Sequence, residues 1–298
     1  MSACAGSGVV PMGDGGSLDL QAGASEQVII PGTEVTLDLV FVPTEGVVSL
    51  GDARVEISPF WMARHETTFE QFGVFRHVEQ DSPVTATPQP MDVDAVARPS
   101  PPYEDPSAGM SRDGFPATGM TQWAALQYAR WLSAKTGDFW RLPTEAEWEH
   151  ACRLGGRRTL ATDAWYLENS GEELHEVASR PADSLGLHDM LGNASEWMLD
   201  EYRNDVQAVW SEGPDPWARP ARLHPRTVRG GAFDDGPGML RCEARLESSL
   251  AWKARDPQIP KSFWWNTDSP FLGFRLVRPV VQPSAQAQAE FWALVLGD

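Results

Sequence analysis

Three carboxylates alternate through Arg141-Leu142-Pro143-Thr144-Glu145-Ala146-Glu147-Trp148-Glu149, a density of ionisable oxygen that suits acid–base chemistry or cation binding. The same spacing also suits a quieter role. Pro143 stops the preceding segment, Thr144 is a good N-cap and Glu147 lies three residues on, so the run writes a capping box and a helix start. Carboxylates in the first helical turns complement the macrodipole, which favours solvated or arginine-paired acids over catalytic ones. A second concentration of chemistry runs from Trp252-Lys253 through Asp256 to Asp268, with Trp264 and Trp265 adjacent. Neighbouring side chains of an extended segment alternate in direction, so if this segment is extended the two rings cannot both point inward, which leaves one available to a ligand. Rings flanked by carboxylates and amides suit a sugar or an extended peptide, and burial under a neighbouring loop is the alternative. Of three cysteines, Cys152 and Cys242 fall in separate elements; they form one disulfide in an oxidising compartment or remain two buried thiols. His65 and His77 have no metal-spaced partner nearby.

The elements that must position these groups are short. Apolar and polar residues alternate over residues 28 to 60, as in Val35-Thr36-Leu37-Asp38-Leu39-Val40, which predicts strands broken at Pro43 and Gly51. Thr67, with Glu70 at the capping-box position, predicts a helix carrying Phe69, Phe72 and Phe75 inward to about His77. Residues 81 to 119 are dense in Pro, Ser and Asp and predict a long loop. Thr121 opens a second helix that ends at Gly137, and the Thr144 helix closes at Gly155-Gly156. From there to residue 280 the pattern is short strands and irregular loops. The chain divides into a Gly- and Ser-rich tether over 1–27, one domain over 28–280 and a tail or short helix over 281–298.

Composition narrows the partners. A net charge of -18, from 24 basic and 42 acidic residues, argues against nucleic acid, whose phosphates are bound by clustered Lys and Arg. It favours solubility and divalent cations instead. Thirteen tryptophans supply buried area that long helices or strands would otherwise provide. No apolar run spans a bilayer. Met1-Ser2-Ala3-Cys4-Ala5-Gly6 resembles the tail of a bacterial lipoprotein signal, which implies a lipid anchor through Cys4 and an extracytoplasmic place in the cell envelope; an incidental cysteine in a flexible start is the alternative.

Four segments occur in a fixed order: Arg141 to Glu149, then Gly186-Leu187-His188-Asp189-Met190-Leu191-Gly192-Asn193-Ala194-Ser195-Glu196-Trp197, then Arg229-Gly230-Gly231, then Gly273-Phe274-Arg275. With Phe60 to Thr68 ahead of them, they resemble the formylglycine-generating enzyme, or sulfatase-modifying factor, family over roughly residues 38 to 280. The resemblance implies an α+β fold of the C-type-lectin-like kind, with two or three helices on small twisted sheets.

It also implies sites. The turn positions Asp189, Gly192, Ala194 and Glu196 match a structural Ca²⁺ site built from side-chain and main-chain oxygens; hydrogen bonding of the turn's amides is the alternative. Family enzymes oxidise a sulfatase cysteine with copper held by two thiolates shortly after the Arg-Gly-Gly motif. Here that stretch carries Asp234 and Asp235, and Cys242 matches a downstream structural cysteine. Copper is therefore not expected, because carboxylates lack the softness that Cu(I) requires. The substrate-groove positions correspond to Asp234, Asp235, Arg241, Arg245, Trp252, Trp264 and Trp265. The reading is a calcium-stabilised binding or assembly module with a protein or carbohydrate ligand in the envelope, and the alternative is a divergent oxidoreductase or sulfatase-modifying enzyme. Ion pairing of Asp234 and Asp235 with Arg241 and Arg245 would favour the structural role.

Overall fold

The computed structural model describes residues 20–44, 46–81 and 96–297. Cys4, most of the expected tether and the middle of the Pro-rich loop lie outside these residues. Two four-stranded sheets and a hairpin carry the strands: β1 (Ser25–Ile29), β2 (Thr36–Val42), β3 (Val47–Leu50), β4 (Ala53–Glu56), β5 (Phe60–Ala63), β6 (Ser195–Glu201), β7 (Arg226–Arg229), β8 (Leu246–Glu247), β9 (Leu272–Gly273) and β10 (Val277–Pro279). The first sheet runs β1-β2-β5-β10, all antiparallel, and the second runs β8-β7-β6-β9, with only the β6–β9 pair parallel. The helices are α1 (Phe69–Arg76), α2 (Gln122–Thr136), α3 (Glu145–Leu154), α4 (Leu160–Asp163), α5 (Val206–Trp210) and α6 (Ala285–Leu296).

Local chemistry places the helices. Thr144 Oγ1 accepts from the Glu147 amide at 3.1 Å while the Glu147 carboxylate accepts from the Thr144 amide at 2.8 Å, so α3 starts where its sequence predicts. α1 starts one residue later than expected, with Thr68 as cap and Gln71 completing the box. The reason is that Thr67 is already engaged: its amide donates to Phe274 and its carbonyl accepts from Ala117. Two boundaries also differ. Residues 25–27 of the expected tether are paired with β2 in an edge strand, and Leu20 and Ala24 pack against the core. At the other end α6 docks Phe291 and Trp292 on Phe139, with ring centroids 5.2 and 5.6 Å apart.

β6 divides the interior. Trp197 and Leu199 project to one side, into a cluster with Phe72, Phe75, Tyr128, Trp131 and Phe274, whereas Met198 joins Trp148, Ala151 and Cys152 on the α3 side. Eight of the thirteen tryptophans are buried, so aromatic rings supply the area that short elements cannot. Among the described residues no helix is long and apolar enough to cross a membrane.

Candidate functional site

The motif residues converge on two buried ionic networks on the α3 side of β6. Glu196 is fully buried and receives Arg275 Nη2 at 2.7 Å and Nε at 2.8 Å, with Trp148 Nε1 at 2.9 Å. The Arg275 guanidinium also donates to the carbonyls of Ala63 at 3.2 Å and His188 at 2.9 Å, tying β5, the glycine turn and the last strand together. Within that turn Asp189 and Asn193 hold positive φ of 53° and 57°, a conformation the short Asx side chains tolerate. Gly192 there is obligatory: a Cβ would meet the Trp165 carbonyl oxygen at 2.2 Å.

The expected Ca²⁺ set is altered by this geometry. Glu196 was expected as a ligand, yet both its oxygens are taken by Arg275 and Trp148. The carboxylate oxygens without a partner belong elsewhere. Asp189 Oδ2 accepts from the Ala178 amide at 2.7 Å while its buried Oδ1 has no partner; Glu66 Oε1 accepts from the Ala194 amide at 3.2 Å while its Oε2 has none. Burial pushes the Glu66 carboxyl well above the usual range, reinforced by the charge of Asp189, and burial likewise raises Asp189. Three carboxylates thus share one guanidinium, a deficit of positive charge that protons or a hard cation would relieve. Among the described residues no group of three or more His, Cys, Asp and Glu forms a metal cluster, so a cation here would depend on main-chain carbonyls such as those of Gly192 and Ala194. Sequence reasoning missed Glu66, although it sits inside the Phe60 to Thr68 motif.

The α3 carboxylates are arginine-paired. Arg229 Nη2 lies 2.7 Å from Glu145 and 2.8 Å from Glu149, with Arg229 and Glu145 wholly buried. Arg245 completes the Glu145 site and stacks over Tyr202. Arg141 grips Glu147 with two bonds of 2.7 Å. These acids are structural: each oxygen faces a guanidinium, a hydroxyl or an amide, with no room for a substrate.

The loop after Arg229-Gly230-Gly231 is open. Asp235 Oδ2 caps the Ala232 amide at 2.9 Å, and Asp234 is exposed. Neither aspartate pairs with an arginine: Arg241 donates to the Gly238 carbonyl, and Arg245 is committed to Glu145. Cys242 is joined to Cys152 by a disulfide with a Cα–Cα distance of 5.7 Å. Trp265 is buried with its Nε1 on the Ser100 carbonyl, Trp264 is half-buried against Trp123 at 4.6 Å, and Trp252 packs edge-on against Trp197 and Phe271. The extended-segment expectation fails because Ser262 Oγ accepts from both the Trp264 and Trp265 amides, folding the segment into a turn. Phe271 links the two loops, packing on Ala232 and Phe233 beside the aspartates and edge-on against Trp252.

An α+β fold with little regular structure, two ionic networks built on α3 and β6, and a glycine turn facing the last strand define the class. The chain belongs to the Sulfatase-modifying factor enzyme 1-like domain family, whose model matches residues 18–280. Solved structures share the fold: PvdO from Pseudomonas aeruginosa, at TM-score 0.62 and 18% identity, covering 88% of this chain and 100% of its own, and Treponema denticola variable protein 1, at TM-score 0.59 and 18% identity, covering 86% and 99%. The chain is 34% identical over 135 residues to the serine/threonine-protein kinase pkn1 of Chlamydia pneumoniae, 44% of this chain but 21% of the kinase. It is 35% identical over 114 residues to the formylglycine-generating enzyme of Mycobacterium tuberculosis, covering 30% of this chain and 35% of that enzyme. The chain thus spans about a fifth of the kinase relative's length.

Proposed function

We propose that this chain is an extracytoplasmic binding or assembly module of its family that does not perform copper-dependent cysteine oxidation. The observation that carries the reading is the Cys152–Cys242 disulfide: it consumes both cysteines of the domain, and Asp234 and Asp235 stand where the resemblance places thiolates. A structural disulfide supports an oxidising compartment, in keeping with a lipid anchor through Cys4. Ca²⁺ belongs to the proposal, held by Asp189 with Glu66 and the carbonyls of Gly192 and Ala194; when bound it would neutralise buried carboxylates and clamp an irregular turn. The ligand class is a protein or carbohydrate of the envelope.

A second reading, a divergent oxidoreductase or sulfatase-modifying enzyme, rests on the likeness to the Mycobacterium tuberculosis enzyme and on Asp234 standing open to solvent. Incubation with a cysteine-bearing sulfatase-type peptide, copper and O₂, followed by mass spectrometry, separates the two. Unchanged peptide is expected, and aldehyde formation would overturn the binding-module reading.

A further inference from the structure

The face of β6 opposite Glu196 carries a cavity that the family motifs do not explain. It measures about 400 Å³ and draws on the start of α2, the β6–β7 connection, the segment around Lys253 and the end of α6. Its walls are apolar, with Trp123, Trp197, Phe263 and Leu294 among them. Its charged lining is cationic: Arg222, Arg226 and Lys253 line it beside His224, and no Asp or Glu does among the described residues. In a chain with 42 acidic residues against 24 basic ones, this local reversal of sign has to be built.

Among the described residues none of Arg222, Arg226 and Lys253 forms a close ion pair, although Glu201, opposite Arg226 in the β6–β7 pair, and Asp256 act on Arg226 and Lys253 at longer range. Arg226 is 7% exposed; its Nε donates to the Leu223 carbonyl at 3.1 Å, and its buried Nη1 has no partner. Lys253, 9% exposed, donates to the Ser262 carbonyl, and Asn266 Oδ1 is buried and unpartnered beside it. The nearest carboxylates serve main-chain amides instead. Glu201 accepts from Ala221; Asp200 accepts from Ala218 and Glu145; Asp256 accepts from Gln258 and Ser262. Burial pulls the Arg226 guanidinium down to about 10 and lowers Lys253, outweighing the charges of Glu201, Asp200 and Asp256, and burial with the neighbouring cations lowers His224, which favours its neutral form. At the mouth, Leu223, Phe263 and Leu294 are exposed at 52%, 62% and 44%.

We infer that this cavity binds a carboxylate carried on an apolar body, the carboxylate meeting Arg226, Lys253 and Arg222 and the apolar part lying between Trp123, Trp197 and Phe263. The inference rests on the reading of the chain as a binding module and names the chemistry of its ligand. That chemistry has two sources, the C-terminal residue of a peptide and a free apolar acid.

Calorimetry on the full chain, with tryptophan fluorescence as a second signal, tests it. The probes are 3-phenylpropanoate against 3-phenylpropanamide, and N-acetyl-Ala-Ala-Phe with a free against an amidated C-terminus. Each acid is expected to bind at least about tenfold more tightly than its amide, as a charge-assisted hydrogen bond to a cation implies. Arg222→Ala, at an exposed side chain, and Lys253→Met are each expected to weaken acid binding more than amide binding and so to remove much of that preference; circular dichroism verifies folding. A stronger peptide identifies a protein C-terminus and a stronger 3-phenylpropanoate a free acid, and both sustain the inference. Equal affinity for acid and amide, or no binding of either acid at millimolar concentration, overturns it. Aldehyde formation in the peptide-oxidation assay would overturn the binding-module reading through a different readout, so the two failures are distinguishable.

Discussion

Replacing Cys152 and Cys242 together by alanine tests the covalent link between α3 and the loop after β7. The bridge spans a sequence separation of 90 residues. In the chain-entropy account, closing a loop of that length stabilises by about 4.5 kcal/mol, through fewer conformations in the unfolded chain. Cys152 is fully buried beside Trp148 and Ala151, so losing its sulfur adds about 1 kcal/mol of lost packing. At about 2 °C per kcal/mol for a domain of this size, the double variant is expected to melt about 10 °C below the parent. Differential scanning calorimetry measures the shift, and thiol titration of the denatured chain verifies the premise. Without reductant the chain should expose no more than one thiol, that of Cys4 where it carries no lipid; reductant should add two, those of Cys152 and Cys242. A drop below about 3 °C, or three thiols before reduction, would refute the reasoning and return two sulfurs to the pool of metal ligands.

Three further outcomes are expected. Glu145→Gln leaves Arg229 buried beside only Glu149 and removes the Arg245 anchor, and urea unfolding should show a loss of about 3–5 kcal/mol, whereas a loss below about 1 kcal/mol would mean the pairs are not formed. Asp200, pushed up to about 7 by burial and by the charge of Glu145, keeps a proton that the unfolded chain releases near 3.8, so its contribution makes stability fall as pH rises between those values and level off above them; Asp200→Asn should flatten that slope in melting curves taken across the window. Added Ca²⁺ should raise the melting temperature of chelator-treated protein, and Asp189→Asn should weaken that response; a melting temperature indifferent to both EDTA and Ca²⁺ would remove the cation from the proposal.

The parts legible in the sequence are those with local causes. Thr144, Glu147 and Thr121 start helices through contacts three residues away, so spacing alone locates them. The carboxylates of α3 read correctly as arginine-paired: Arg141 is a local partner of Glu147, but Arg229 and Arg245, which hold Glu145 and Glu149, lie 80 to 100 positions distant, and only the tertiary fold brings them to α3. Glu66 escaped for the same reason, since its importance is an unpartnered oxygen deep in a tertiary core. The Trp264–Trp265 expectation applied a strand rule to a segment that Ser262 bends into a turn. The cationic cavity was illegible because its lining comes from well-separated segments, none carrying a motif of its own.

The placement of β1 and β10 at opposite edges of one four-stranded sheet ties the first and last strands of the domain to each other. With strands spaced at about 4.8 Å, the two terminal strands run about 14 Å apart, and Arg278 on β10 reaches Glu26 on β1 across the intervening pair at 2.5 Å. The first and last strands thus share one wall of the molecule, and the segment after β10 continues into α6, which docks on Phe139. The last turn of α6, Leu294 to Gly297, lines the cavity behind β6, so changes at that end of the helix bear on the cavity and leave the motif networks on the other side of β6 untouched.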